Sequence, residues 1–220
     1  MGAPNPKHRV FCCEDDPRTR ALLTKILSKA PGLTLVGEAP AAEEVIRALD
    51  DGLGVDVLLL DLELPGMQGL ELVEHLPPPP KGPEILILTS FNDENRVFRA
   101  MKSGAAGYLV KGVGTARLLS AVNEVALGGT VIEPRLARRF WNLFQASVGH
   151  APSDPFGLDE DELQVLSLLA KGLTNPEMGD LLHQGRRKIK LILERLYEKM
   201  QVKSRVEAVV AGFKAGLLDL

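Results

Sequence analysis

The chain has 220 residues, 45% of them hydrophobic and 25% charged, with a formal net charge of −3. That composition suits one or two folded domains and excludes a disordered, highly charged chain or binding to nucleic acid through overall charge alone. No apolar run reaches membrane-spanning length, and the start, MGAPNPKHRV, lacks the apolar core of a secretion signal. Cys12 and Cys13 are adjacent in an apolar run. Neighbours on a strand point to opposite faces, so they are expected not to pair, as in a reduced cytoplasmic protein.

In chain order, Val10 to Cys13 reads as a buried strand, followed by Glu14, Asp15, Asp16 and Pro17. Arg18 to Ala30 carries Leu22, Leu23, Ile26 and Leu27 at helical spacing, and Pro31 and Gly32 stop it. Leu33 to Gly37 reads as a strand and Ala41 to Asp50 as a helix. Val55 to Leu60 is a third apolar run, ended by Asp61 and the turn Leu62 to Gly66. A helix is predicted over Gln68 to Leu76, broken by Pro77 to Pro80. EILILT, from Glu84 to Thr89, is the fourth strand. Asp93 to Ser103 follows as a helix capped by Asn92 or Asp93. Gly107 to Val110 is the fifth strand, ending at Lys111, and Thr115 to Leu127 the fifth helix.

Continuous apolar strands alternating with helices predict a parallel sheet covered on both faces. In such a sheet the carboxyl ends of the strands lie along one edge, where ligand sites form. Glu14, Asp15, Asp61, Thr89 and Lys111 all stand at such ends. Clustered carboxylates repel one another unless a cation offsets them, and oxygen ligands suit Mg²⁺, an ion that neutralises phosphoryl groups. Thr89 and Lys111 can bind further phosphoryl oxygens. Each residue alone is explained equally well as a cap or a surface charge. Five together at matching strand ends are not.

Residues 8–128 resemble a response-regulator receiver domain, a flavodoxin-like α/β fold. The pieces that carry the likeness are Glu14–Asp15 before Asp16–Pro17, LLLDLELPGMQG around Asp61, ILILTS around Thr89 and GYLVKG around Lys111. The resemblance implies Asp61 as phosphoacceptor. It implies Glu14, Asp15, Asp61 and the backbone carbonyl of Glu63 as Mg²⁺ ligands, and Thr89 with Tyr108 as a switch pair drawn inward on phosphorylation. It also places Glu63 and Phe91 beside the path of attacking water. A bulky Phe91 is expected to slow hydrolysis.

Val131 to Ser147 reads as an amphipathic helix with Leu136, Phe140, Leu143 and Phe144 on one face, and Val148 to Gly157 has a linker composition. The expected division is therefore a receiver over 1–130, a linker helix and flexible linker over 131–157, and a second domain over 158–220.

That second domain is all helical. Asp159 to Lys171 opens on acids, Thr174 and Glu177 form a capping box, Gln184 and Gly185 turn the chain, Arg186 to Met200 is a long helix, and Val206 to Ala215 is the last. Two helices across a short glycine turn read as helix-turn-helix. From Gly185 to Arg205 there are eight basic residues against two acids, while the whole stretch from Leu158 balances. Charge concentrated in this way is the footprint of phosphate-backbone contact.

GLTNPEMGDLL and LERLYEKMQVKSRVEAVVAGFKAGLL are similar to the LuxR-type helix-turn-helix of the NarL/FixJ response regulators. Gln184 and Gly185 depart from the usual apolar residue and Ser-type cap, Lys188 from a common Thr, and Ile192 from a common His. Ile189, Leu193, Leu196 and Met200 predict the buried stripe of the recognition helix, leaving Arg187, Lys190, Leu191 and Glu194 opposite. The resemblance places base contacts at Lys190, Leu191 and Glu194, and Arg187, Lys188, Lys203 and Arg205 suit phosphates. Val209, Val210 and Phe213 are expected to supply a dimer contact.

The leading reading is a phosphorylation-controlled transcription regulator of a two-component system, not an enzyme. It would be phosphorylated by a sensor histidine kinase or a small phosphodonor, use Mg²⁺, bind double-stranded DNA and form a homodimer when phosphorylated. The alternative is a receiver-containing interaction module that has lost specific DNA readout. A metal phosphatase or flavodoxin-type redox protein is weak, because no glycine-rich phosphate loop follows the first strand.

Overall fold

The computed structural model describes residues 8–90, 94–132 and 155–218. The expected amphipathic helix over 131–147, the linker, Phe91 and the caps Asn92 and Asp93 fall largely or wholly outside these residues.

Five strands form one all-parallel sheet in the order β2-β1-β3-β4-β5. They are β1 (His8–Cys13), β2 (Leu33–Ala39), β3 (Val57–Leu60), β4 (Glu84–Thr89) and β5 (Gly107–Val110). The intervening helices are α1 (Pro17–Lys29), α2 (Ala42–Asp50), α3 (Gly69–His75), α4 (Glu94–Ser103) and α5 (Thr115–Ala126). Two strands match their predicted ends, and the other elements shift by a residue or a few. Asp16 rather than a later residue starts α1, its carboxylate accepting from the Thr19 N–H at 2.7 Å.

The sheet is buried on both faces, as its unbroken apolar strands require. Leu23 and Leu27 of α1 pack with Leu118, Val122 and Val125 of α5 on one face. Val45, Leu72, Val97 and Met101, from α2, α3 and α4, cover the other. Cys12 belongs to the first cluster and Cys13 to the second. Alternation along β1 thus separates the two thiols, which are both free. Burial pushes the Cys12 thiol up to about 12, so it packs as a small neutral group.

The carboxyl-terminal unit has four helices, α6 (Glu160–Ala170), α7 (Asn175–Leu181), α8 (Arg186–Met200) and α9 (Arg205–Lys214). A separate core joins Val165, Leu166, Met178, Ile189, Leu193, Leu196 and Met200. Ile192 and Tyr197 are buried there too, which widens the predicted stripe of α8. The turn into α8 is tight: Gly179 passes so close to the Gln184 carbonyl that a Cβ there would lie 2.7 Å from it. The left-handed residue of the turn is His183, at φ 52°, rather than Gly185, which caps α8 at an ordinary φ of −66°. Glycine caps a helix only a few tenths of a kcal/mol less well than the side chains usual there. No helix among the described residues is long and apolar enough to cross a membrane.

Candidate functional site

The strand order reverses direction between β1 and β3, and that reversal opens a crevice at their carboxyl ends. Glu14 follows β1 and Asp61 follows β3, so both carboxylates enter the crevice. They are 1% and 4% exposed. Asp15 joins them from the surface, and one carboxylate oxygen from each residue lies within 4.8 Å of the others. Thr89 is buried at the end of β4, and Lys111 follows β5.

The Lys111 amine lies 2.7 Å from the carboxylates of both Glu14 and Asp61. Burial pulls the Lys111 pKa down, but hydrogen bonds to Asp61 and Glu14 outweigh it and leave the amine above its ordinary value. Burial raises Glu14, with the Lys111 contact opposing. Glu14 Oε2 is as near Lys111 as its twin oxygen, yet accepts no well-aligned hydrogen bond. A buried acceptor with spare capacity beside two other carboxylates is a donor set that fits a hard divalent cation.

Three further groups hold this edge in place. Arg20 of α1 donates to the carbonyls of Glu14 at 2.6 Å and Asp15 at 3.1 Å. The Glu63 N–H donates to Asp61 Oδ1 at 3.2 Å. Arg96 of α4 reaches across to Glu63 Oε1 and the Leu62 carbonyl at 3.5 Å each, and to Gln68 Oε1 at 3.3 Å. Gly69 is required by contact: a Cβ there would lie 2.1 Å from the Asp61 carbonyl oxygen. Neither arginine had a sequence signal, since each is one polar residue among several on its helix.

Tyr108 is 5% exposed and packed in the core cluster on the α2–α3–α4 face. Thr89 is buried as well, so both members of the expected switch pair lie inside in this conformation. Val206 of α9 packs against the same cluster.

At the amino edge of the sheet, α8 faces the receiver-like unit. Lys81, on the proline-rich loop before β4, lies 3.4 Å from Glu194 and 2.6 Å from Glu198. Lys203 donates to the Glu74 carbonyl at 3.2 Å, Arg186 to the Ala126 carbonyl at 3.1 Å, and the Asn175 N–H to the Leu127 carbonyl at 3.0 Å. A cavity of about 560 Å³ lies between, lined by His8, Asp56, Glu84, Lys190, Tyr197 and Arg205 among others. Burial raises the Glu84 carboxyl to about 7 against the pull of Arg205 and Lys190. Burial, then Arg186, lowers His8.

Of the residues expected to meet DNA, Arg187, Lys188, Lys190 and Leu191 are exposed. Lys188 lies 3.6 Å from Asp161. Lys190 lines the cavity, and Glu194 and Lys203 are engaged with the receiver-like unit. Arg205, expected at a phosphate, donates instead to the Leu173 carbonyl at 2.6 Å and to Asn175 Oδ1 at 3.0 Å. Of the residues expected at a dimer contact on α9, Val209 is buried in its own unit's core and Phe213 packs half-buried against it, while Val210 is half-buried outside that core.

Residues 10–123 match the family model described as the response regulator receiver domain, and residues 158–211 match bacterial regulatory proteins of the luxR family. The chain is a LuxR-family response regulator. The nitrate/nitrite response regulator protein NarL of Escherichia coli K12 is 33% identical over 201 residues, covering 91% of this chain and 93% of that protein. The transcriptional regulatory protein LiaR of Bacillus subtilis is 29% identical, covering 96% and 99%. A solved LuxR-family two-component response regulator from Aurantimonas superposes with a TM-score of 0.55 at 28% identity, covering 60% of this chain and 94% of that one. The response regulator is thus a phosphorylation-controlled, DNA-binding transcription regulator of a two-component system rather than an enzyme.

Proposed function

We propose that Asp61 is the phosphoacceptor. One of its carboxylate oxygens attacks the donor phosphorus, and the bond from phosphorus to the donor's oxygen or histidine nitrogen breaks with its electron pair leaving on the donor. The phosphodonor is a sensor histidine kinase or a small acyl phosphate. Glu14, Asp15, Asp61 and the Glu63 carbonyl would hold Mg²⁺. When bound, it offsets the charge gathering on the phosphoryl oxygens. Lys111 exchanges its contact with Asp61 for one with a phosphoryl oxygen, and Thr89 donates its hydroxyl to another. Tyr108 and α4 respond to that change as the switch.

The observation that carries this reading is Lys111 bridging two buried carboxylates, Glu14 and Asp61, at the reversal point of the sheet. The phosphorylated Asp61 carries about two negative charges in place of one, in a buried setting. That charge biases α4 and releases α9 and α8 from the receiver. Lys190, Leu191 and Glu194 then reach base edges, and Arg187, Lys188 and Lys203 meet phosphates. Arg205 serves the helix packing instead. The regulator works in the cytoplasm as a homodimer when phosphorylated, with the division between its domains inside 131–157.

The test is labelling of the full chain with acetyl phosphate and Mg²⁺, followed by intact-mass measurement. One phosphoryl adduct, stable in acid and labile in base, is expected in the wild type and lost in Asp61→Ala. Undiminished labelling of Asp61→Ala overturns the assignment.

A further inference from the structure

Arg96 stands outside every role assigned so far. Its guanidinium gathers three acceptors on the segment leaving Asp61: the Glu63 carboxylate, the Leu62 carbonyl and the Gln68 side chain. The Arg96 and Glu63 side chains are 34% and 45% exposed. A pair this wet adds little to folding, so its consequence is local and electrostatic. Glu63 lies two residues past Asp61, and its N–H touches the Asp61 carboxylate. Its own carboxylate, outside the close group of Glu14, Asp15 and Asp61, is therefore a fourth acid on the segment that leaves the site, where Lys111 is the amine that meets the buried acids.

We propose that Arg96 is a positioning residue for phosphoryl transfer, pairing with Glu63 so that this fourth carboxylate does not oppose an anionic phosphodonor. This rests on Asp61 as the acceptor. The donor is a dianion at neutral pH, and each uncompensated carboxylate along its approach raises the cost of entry. The effect falls on donor binding rather than on the transfer step, because Arg96 touches neither Asp61 nor Lys111 in the contacts above. It also weakens as salt screens the approach.

The experiment follows adduct formation on the full chain by intact mass, over a range of acetyl phosphate concentrations at saturating Mg²⁺ and at low and high ionic strength. Arg96→Ala is expected to raise the donor KM by about tenfold at low salt, the scale of one partly screened charge pair, with kcat little changed. High salt should shrink that difference, and Arg96→Lys should retain most of the wild-type value. Combining Arg96→Ala with Glu63→Gln should return KM to that of Glu63→Gln alone. An equal Arg96→Ala loss in the Glu63→Gln background overturns the inference while leaving Asp61 as acceptor, and so does an unchanged KM. A loss of fold in Arg96→Ala appears as a fallen urea midpoint that Glu63→Gln does not rescue, and it counts against the proposal. A wild-type chain that takes no label overturns the acceptor reading and this inference together.

Discussion

The two edges of the receiver sheet handle charge in opposite ways. At the carboxyl edge two carboxylates are almost wholly buried and share one amine at 2.7 Å. Backbone N–H groups donate to both carboxylates, and Arg20 holds the main chain at Glu14 and Asp15. At the amino edge the charges belong to two different domains, sit partly in water, and meet around a cavity. The Glu84 carboxylate has no hydrogen bond or ion pair there among the described residues. The first edge fits the proposed chemistry on one small group. The second is a contact that can be given up, because few of its charges are committed to geometry that water could not replace.

The largest expected effect comes from breaking the committed edge. Lys111→Met leaves Glu14 and Asp61 buried without their cation. It should cost about 2–3 kcal/mol of stability, below the usual figure for a fully buried pair because the amine is partly wet. Urea unfolding measures this, and Mg²⁺ should restore more stability to the variant than to the wild type. An absence of destabilisation would show that the amine is not what offsets these acids.

The next effect sharpens the comparison at the amino edge. Burial raises the Glu84 pKa from 4.5 to about 7. The folded state therefore keeps this proton to higher pH than the unfolded state does, so the group's contribution to stability falls as pH rises from about 4.5 to about 7. His8, lowered by burial, acts with the opposite sign, so the comparison must be between variants. Glu84→Gln should be more stable than wild type at pH 8 by roughly 1–2 kcal/mol, with the gap closing toward pH 5, after discounting the full shift for partial exposure. Urea midpoints at both pH values check it.

Smaller again is Lys81→Glu, which sets like charges against Glu194 and Glu198. The unphosphorylated variant should bind DNA several-fold better in a gel shift at low salt, with the gain vanishing at high salt. The smallest effect is Lys203→Ala. In the phosphorylated protein it should weaken binding to all sequences alike and reduce the salt slope by about one unit. A change confined to one base pair would instead make Lys203 a base-reading residue.

The contrast also explains what was legible in the sequence. Apolar strand runs ending in Glu14, Asp61, Thr89 and Lys111 carry the sheet and its edge, because burial on both faces leaves little choice of residue. The α8 stripe was readable for the same reason. Arg20 and Arg96 were not, since a helix tolerates a lone arginine anywhere on its wet face, and nothing local states which loop it will reach. The left-handed turn residue His183 has no glycine or asparagine to mark it. The roles of Lys81, Arg205 and Val206 depend on which domain faces which, and helical periodicity records only that a side chain is inside or outside its own unit. Val209, Val210 and Phe213 were expected at a dimer surface for that reason; Val209 is buried in its own core, and Phe213 packs half-buried against it.

β4 begins at Glu84, beside the DNA-binding helices, and ends at Thr89, beside Asp61. Six residues of extended chain separate the two edges by roughly 20 Å. That is more than two screening lengths in physiological salt, where one is about 8 Å. A phosphoryl charge at one end therefore acts only weakly on solvent-open charges at the other, though burial lessens that screening. The proposed signal would then cross mainly as displacement of packed elements, with β4 continuous from one edge to the other. Added salt should then loosen the grip on DNA by the same factor in the phosphorylated and unphosphorylated open forms.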